Sequence, residues 1–274
     1  MEGYLAVTRK TSKLFTKSYS TSFSLASRRF DSKIRPHIYA IYGLTRIADE
    51  IVDTYRGKDA AQLLNELESE TIAALQRKYS VNPIVHSFQA TANKHGINEE
   101  LITPFFASMR SDITKKHFNI EEYKSYIHGS AEVVGLMCLR VFCDGDEALY
   151  GQLKTGAAHL GAAYQKVNFL RDVAADHQQL GRYYFPDGDF DSLDEQAKTV
   201  IINDIKQDFK AAWPNLQQLP LSARKAVMTS YRYYAALLRK LERTPIETIK
   251  TKRVRINNFY KLILFAVPVN SVVR

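Results

Sequence analysis

Two acidic pairs carry the chemistry this sequence could do. Asp49 and Asp53 stand in Ile47-Ala48-Asp49-Glu50-Ile51-Val52-Asp53, and Asp172 and Asp176 close the run Asn168-Phe169-Leu170-Arg171-Asp172-Val173-Ala174-Ala175-Asp176. On an α-helix a four-residue step advances about 6 Å along the axis and about 40° around it, so each pair shares one face. Apolar residues separate the acids in both segments. Two carboxylates held together with little water repel, which raises a pKa or demands a cation. One such pair is weak evidence, because solvated helix faces carry acids at this spacing. A second pair changes the reading. Hard oxygen ligands on opposite walls suit Mg²⁺, with Mn²⁺ as a substitute, since Mg²⁺ keeps several waters and binds through one or two carboxylates plus substrate phosphates.

The neighbours of the acids extend the set. Asn168 precedes Asp172 by one turn and can add an amide oxygen, Arg171 can offer a planar fork to a phosphate, and Gln165 lies one further turn back. On the other segment Tyr42 and Arg46 stand seven and three residues before Asp49, which brings donors beside the acids. Acid, amide, arginine and tyrosine together describe a diphosphate–Mg²⁺ site.

Helices must position these groups. Ile38, Ile41, Tyr42 and Leu44 lead into Ile47, Ala48, Ile51 and Val52 as one apolar stripe, with Pro36 suited to a first turn and Gly57 to a stop soon after Tyr55. Similar periodicity runs through 60–79, 84–95, 99–112, 120–142, 146–180, 194–211, 221–243 and 246–265. Asn119 with Glu122, and Ser192 with Glu195, have capping-box spacing. Asp144-Gly145 and Asp187-Gly188 fall between helical patterns and read as loops. The expected fold class is all-α, a single domain over 1–274 whose helices bury their stripes around a shared centre and build a site from facing side chains.

Composition narrows the partners. The 274 residues carry 38 Lys and Arg against 29 Asp and Glu, a formal charge of +9 that favours an anionic partner. The basic residues are spread along the chain, with no arginine-rich tail, zinc-finger spacing or RNA-binding aromatic motif, so nucleic acid is not the expected partner. Cys138 and Cys143 lack CxxC spacing and read as reduced core residues; the seven histidines show no zinc pattern. There is no Walker loop, no Gly-x-Ser-x-Gly elbow and no G-x-G-x-x-G fingerprint, and no nicotinamide is expected. Residues 1–10 lack the apolar run of a signal peptide, and Leu262–Val269 is far short of the roughly 20 residues that cross a bilayer. The expected location is cytoplasmic.

Asp49-Glu-Ile-Val-Asp53 and Asn168-Phe-Leu-Arg171-Asp172-Val-Ala-Ala-Asp176 resemble the two aspartate-rich motifs of the squalene/phytoene synthase family. The resemblance extends to Tyr19-Ser-Thr-Ser-Phe23, Tyr42-Gly-Leu-Thr-Arg46, Tyr126, Val133-Val-Gly135-Leu-Met137, Gln165 and Gly181-Arg182-Tyr-Tyr-Phe-Pro186, and more weakly to Tyr234–Arg255. It implies a helical bundle of the isoprenoid synthase type with a central cavity. In it Asp49, Asp53, Asn168, Asp172 and Asp176 hold Mg²⁺ between two prenyl diphosphates, and Arg46, Arg171 and Arg182 bind phosphate. Tyr42, Tyr126 and Gln165 take the reaction end, Tyr126 and Tyr234 face carbocations, and Phe23, Val133 and Gly135 lie along the prenyl tails. Two departures stand out: Glu132 replaces a glycine common in the family, where a carboxylate could narrow the pocket, and Tyr19 stands where some relatives have histidine.

The reaction so implied is head-to-head condensation of two prenyl diphosphates through a cyclopropyl diphosphate, ending in proton loss. Two C20 chains give phytoene, the favoured reading; two C15 chains give dehydrosqualene or, with hydride, squalene. A catalytically silent helical assembly factor is the alternative of another class. Lys250, Lys252, Arg253 and Arg255 precede the apolar residues Phe259, Tyr260 and Leu262–Phe265, an order suited to docking at the inner face of an anionic membrane. Sequence leaves the oligomeric state open.

Overall fold

Each helix can be traced to a local cause. In the computed structural model, which describes residues 2–55, 57–186, 188–257 and 261, α1 spans Glu2–Tyr19 and α2 Thr21–Ser27, the latter capped by the Ser20 hydroxyl on the Phe23 N–H. α3 (Arg35–Asp49) has Pro36 in its first turn, where a missing N–H costs nothing. It runs on into a π-helical turn, Glu50–Thr54. α4 covers Ala60–Arg77 and α5 Pro83–His95, the second opened by Asn82 and closed by Gly96 in the left-handed conformation. α6 covers Glu99–Thr114. The expected 120–142 helix is α7 (Ile120–Ile127), a π-turn (His128–Glu132) and α8 (Val133–Cys143). The Asn119–Glu122 capping box is present in both directions. α9 (Glu147–Ala175) is followed by a third π-turn, Asp176–Leu180; α10 is Glu195–Leu216, α11 Leu221–Arg243 and α12 Ile246–Ile249.

Among the described residues there is no strand, and the fold is all-α. Three local expectations need correction, and one helix, α1, lies outside those expected. Asp194, not Ser192, caps α10, because Ser192 is used in a reciprocal pair of hydrogen bonds with Asp189. The helix expected over 246–265 stops at Ile249, and the chain then turns without helical structure through Asn257. α1 gives no apolar stripe to read, since its buried face is Thr8, Ser12 and Thr16. Neither acidic pair lies on uninterrupted α-helix: Asp53 and Asp176, the second member of each, stand on π-turns, whose i→i+5 bonds hold more residues per turn.

One cluster of buried apolar side chains takes members from α3 through α12, with Ile38, Ile41, Phe88, Ile102, Phe106 and Leu170 among those shut from solvent. The Ile120–Cys143 stretch is long and apolar enough to pass for a membrane span, yet it buries Tyr126, Val133, Met137 and Leu139 inside the bundle and is broken by its π-turn. Two glycines set how closely α8, α9 and that turn approach. A Cβ on Gly135 would stand 2.8 Å from the Ala157 carbonyl oxygen, and one on Gly161 would stand 2.5 Å from the Ala131 carbonyl oxygen. The helices enclose a cavity of about 570 Å³.

Candidate active site

The cavity has two chemical halves. Its deep wall is apolar, with Phe30, Ile38, Leu139, Phe142, Leu153 and Leu216 among its residues. Its mouth gathers Arg46, Asp49 and Asp53 from α3 and its π-turn with Gln165, Asn168, Arg171, Asp172 and Asp176 from α9 and the turn that follows. Both acidic pairs therefore open onto one space, as their repetition in sequence predicts.

Electrostatics at the mouth favours a cation. Burial, then Asp53, pushes the Asp49 carboxyl up to about 8. Its side chain keeps 37% exposure and lines the cavity, so water there moderates the shift without reversing its direction. Burial, with Asp172 and Asp53 nearby, pushes Asp176 up to about 7. Among the described residues no cluster of three His, Cys, Asp or Glu side chains closes around an ion by itself. The donor set is nonetheless made of hard oxygens with disfavoured negative charge, and the remaining coordination can come from water and phosphate.

The arginines divide into two groups. Arg46 pairs with Glu50, lies 3.7 Å from Asp49, and covers the Tyr19 ring at 4.4 Å; its Nε is buried without a hydrogen-bond partner. Arg171 turns its fork onto Asp172, with Nε donating at 2.9 Å. Arg182, expected at the phosphates, instead stands behind the acids. It is 3% exposed and gives Nη1 to Asp53 at 2.7 Å and Nη2 to the Val52 carbonyl at 3.1 Å. It holds the π-turn that carries Asp53.

Beneath Arg182 lies a residue that sequence reasoning missed. Asp112 of α6 is 4% exposed, lines the cavity, and accepts hydrogen bonds from Tyr126 at 2.6 Å and Tyr184 at 2.9 Å. Arg182 is 3.7 Å away. Burial pushes Asp112 up to about 6, and Arg182 and the two hydroxyls restrain the rise. Tyr126 thus reaches the cavity with its hydroxyl committed to Asp112 and its ring packed by Phe118, Phe169 and Tyr184.

Other expected residues fall as follows. Phe23 and Tyr42 line the cavity and stack at 4.8 Å, and Gln165 and Gly135 line it too. Tyr234 does not. It stacks on the cavity-lining Tyr164 at 4.0 Å and donates to the Asn168 amide oxygen at 3.3 Å, leaving that oxygen a second lone pair. Val133 is buried away from the cavity, and Val134 lines it instead. Glu132 also points elsewhere, to His128 at 2.9 Å, and does not narrow the pocket. Arg253, expected at a membrane, returns to the mouth and places Nε 2.7 Å from Asp172. Lys250 donates to the Asp191 and Leu193 carbonyls. The apolar residues expected beside them, Phe259, Tyr260 and Leu262–Phe265, lie outside the described residues.

The sequence family model for squalene/phytoene synthase matches residues 16–260. The chain belongs to the squalene/phytoene synthase family. It is a prenyltransferase of that class. The 15-cis-phytoene synthase of Pantoea ananas is 26% identical over 239 residues, which cover 84% of this chain and 72% of that protein. The 4,4'-diapophytoene synthase of Staphylococcus haemolyticus is 29% identical over 180 residues, 62% of this chain and 59% of its relative. Among solved structures, a dehydrosqualene synthase in complex with ligand superposes with a TM-score of 0.79 at 19% identity, covering 95% of both chains. The squalene synthase HpnC of Alicyclobacillus acidocaldarius gives 0.76 at 20% identity, covering 87% of this chain and 94% of its own. These likenesses establish the isoprenoid synthase fold.

Proposed function

We propose that this family member joins two prenyl diphosphates head to head, with two C20 chains giving phytoene. One observation carries the reading: a single cavity whose mouth is acid and arginine and whose depth is apolar. Hydrocarbon tails belong in the depth, where each CH₂ removed from water contributes about 0.8 kcal/mol. Diphosphates belong at the mouth.

Asp49, Asp53, Asp172, Asp176 and Asn168 would hold Mg²⁺, which supplies Lewis-acid assistance to the departing diphosphate. The chain's own groups do the rest. Arg46 lines the mouth and meets phosphate oxygen with its guanidinium, and Arg171 offers its fork once a phosphate competes with Asp172. Arg182 and Asp112 keep Asp53 and Tyr126 in place. The rings of Phe23, Tyr42, Tyr126 and Phe169 line the cavity where the cations form, and ring faces stabilise positive charge while the enclosed space excludes water. Formation of a cyclopropyl diphosphate, its rearrangement and loss of a proton complete the sequence without a hydride donor.

The Pantoea relative supports C20 substrates, as do the Gly135-Leu-Met and Gln165-Lys-Val-Asn-Phe-Leu-Arg segments. The Staphylococcus relative supports a second reading, condensation of two C15 chains to dehydrosqualene. Purified protein incubated with Mg²⁺ and either the C15 or the C20 diphosphate, without reductant, separates them. Phytoene from the C20 substrate is expected. Dehydrosqualene from C15 alone would transfer the assignment to the second reading, and folded protein with no product from either would favour a silent assembly factor.

A further inference from the structure

The outward face of α1 is unusual for a surface helix. Its inner face carries Thr8, Ser12 and Thr16, all fully buried, with hydroxyls donating to the carbonyls of Leu5 at 3.0 Å, Thr8 at 3.3 Å and Ser12 at 3.0 Å. These small groups allow α1 to lie against α3, where a Cβ on Gly43 would stand 3.3 Å from the Ser12 hydroxyl. Phe15 packs against the core, but two apolar side chains point the other way: Val7 is 57% exposed and Leu14 63%.

With 3.6 residues per turn, Lys13, Lys17, Lys10, Leu14 and Val7 follow one another around an arc of about 120°. A basic edge adjoins an apolar edge, and no acidic residue falls within the arc. Lys10, Lys13 and Lys17 are exposed and make no ion pair with any described residue, whereas Lys166, Lys198 and Lys206 are paired. The helix ends at Tyr19, 46% exposed, whose ring lies under Arg46 at the cavity mouth.

We propose that this face of α1 seats the protein on an anionic bilayer, with Val7 and Leu14 in the headgroup boundary and the three lysines on lipid phosphates. Charge complementarity identifies an anionic partner, and the apolar edge selects lipid over nucleic acid, which has no use for exposed Val and Leu beside the lysines. The advantage rests on the proposed function, since a mouth next to the bilayer spares a long hydrocarbon the passage through water. The binding itself requires no turnover.

Co-sedimentation with vesicles of equal parts phosphatidylcholine and phosphatidylglycerol tests it, against vesicles of phosphatidylcholine alone. Each lysine near such a surface contributes about fivefold, so K10Q/K13Q/K17Q should bind roughly a hundredfold more weakly. V7S/L14S should also weaken binding with all charges kept. The matched variant K154Q/K210Q/K225Q changes three exposed lysines elsewhere and should stay within about twofold of wild type. Circular dichroism checks that each variant is folded, and turnover in detergent micelles should be unaltered in all three. Equal losses from the two lysine triples would mean a general positive field and overturn the proposal, as would retained vesicle binding with loss of duplex DNA binding in the α1 variants. Absence of prenyl transfer in wild type would leave the sedimentation result standing and count against the function alone.

Discussion

Loading the mouth with Mg²⁺ and diphosphate should expel protons, and the structure sets how many. Asp49 is raised to about 8 and Asp176 to about 7. At pH 7 the first is about nine-tenths protonated and the second about half, and both must be ionised to ligate a metal. On the order of one proton per molecule should leave at pH 7 and far fewer at pH 9, with cavity water moderating the Asp49 shift. Titration calorimetry in two buffers of different ionisation enthalpy measures the number. Ionisation of the diphosphate adds its own protons, so the decisive quantity is the difference between wild type and Asp49→Asn, roughly half a proton or more at pH 7. The sign extends to stability. Carboxyls with raised pKa bind protons more tightly folded than unfolded, so their contribution is present in acid and declines as pH rises from about 4 through about 8. The melting temperature gained from Mg²⁺ and diphosphate should therefore be larger at pH 8 than at pH 5.5. Equal proton release from wild type and Asp49→Asn, or a release unchanged between pH 7 and 9, would refute the reasoning.

Three further outcomes follow from named contacts. Arg171→Lys keeps charge and loses the fork, so kcat/KM should fall roughly 10- to 100-fold; undiminished turnover would mean that any cation suffices. Gly161→Ala drives a Cβ into the Ala131 carbonyl and should cost about 1–3 kcal/mol in urea unfolding, with no change showing that the π-turn can yield. Tyr126→Phe removes a hydrogen bond to ionised Asp112, costing about 1–3 kcal/mol at pH 8 and much less at pH 4.5, where Asp112 is protonated. A loss independent of pH would assign Tyr126 to packing alone.

The acidic pairs were legible because their members are close in sequence and the helical period places each pair together. Asp112 was not, since its partners Tyr126, Tyr184 and Arg182 are far along the chain. One signal did exist: Asp112 follows Phe105 by seven residues and Met109 by three, a charge on the buried stripe of α6. Arg253 escaped because the irregular segment after α12 brings it back to Asp172, a path no periodicity describes. Arg182 was placed near the acids correctly as to region, but burial decides that it serves carboxylates rather than solvent-facing phosphate. α1 was invisible to a search for apolar stripes because its buried face is hydroxyl.

The turn at His128–Glu132 acts on the cavity wall as a frameshift acts on a message. Counting seven from Tyr126 in α-helical register lands on Val133, but the wall passes through Ser130 and Ala131 of the turn and is then read at Val134, Gly135, Cys138, Leu139 and Phe142. The extra residue resets the downstream reading by one. Deleting a single residue from this turn would leave plain α-helix with Val134 and Cys138 still on the wall, whereas winding the turn as α-helix with every residue kept would rotate everything after it by about 100° and present Val133 and Met137 instead. A pocket of this construction can lose that one residue at the turn and keep its wall, with every residue of α8 still facing as before.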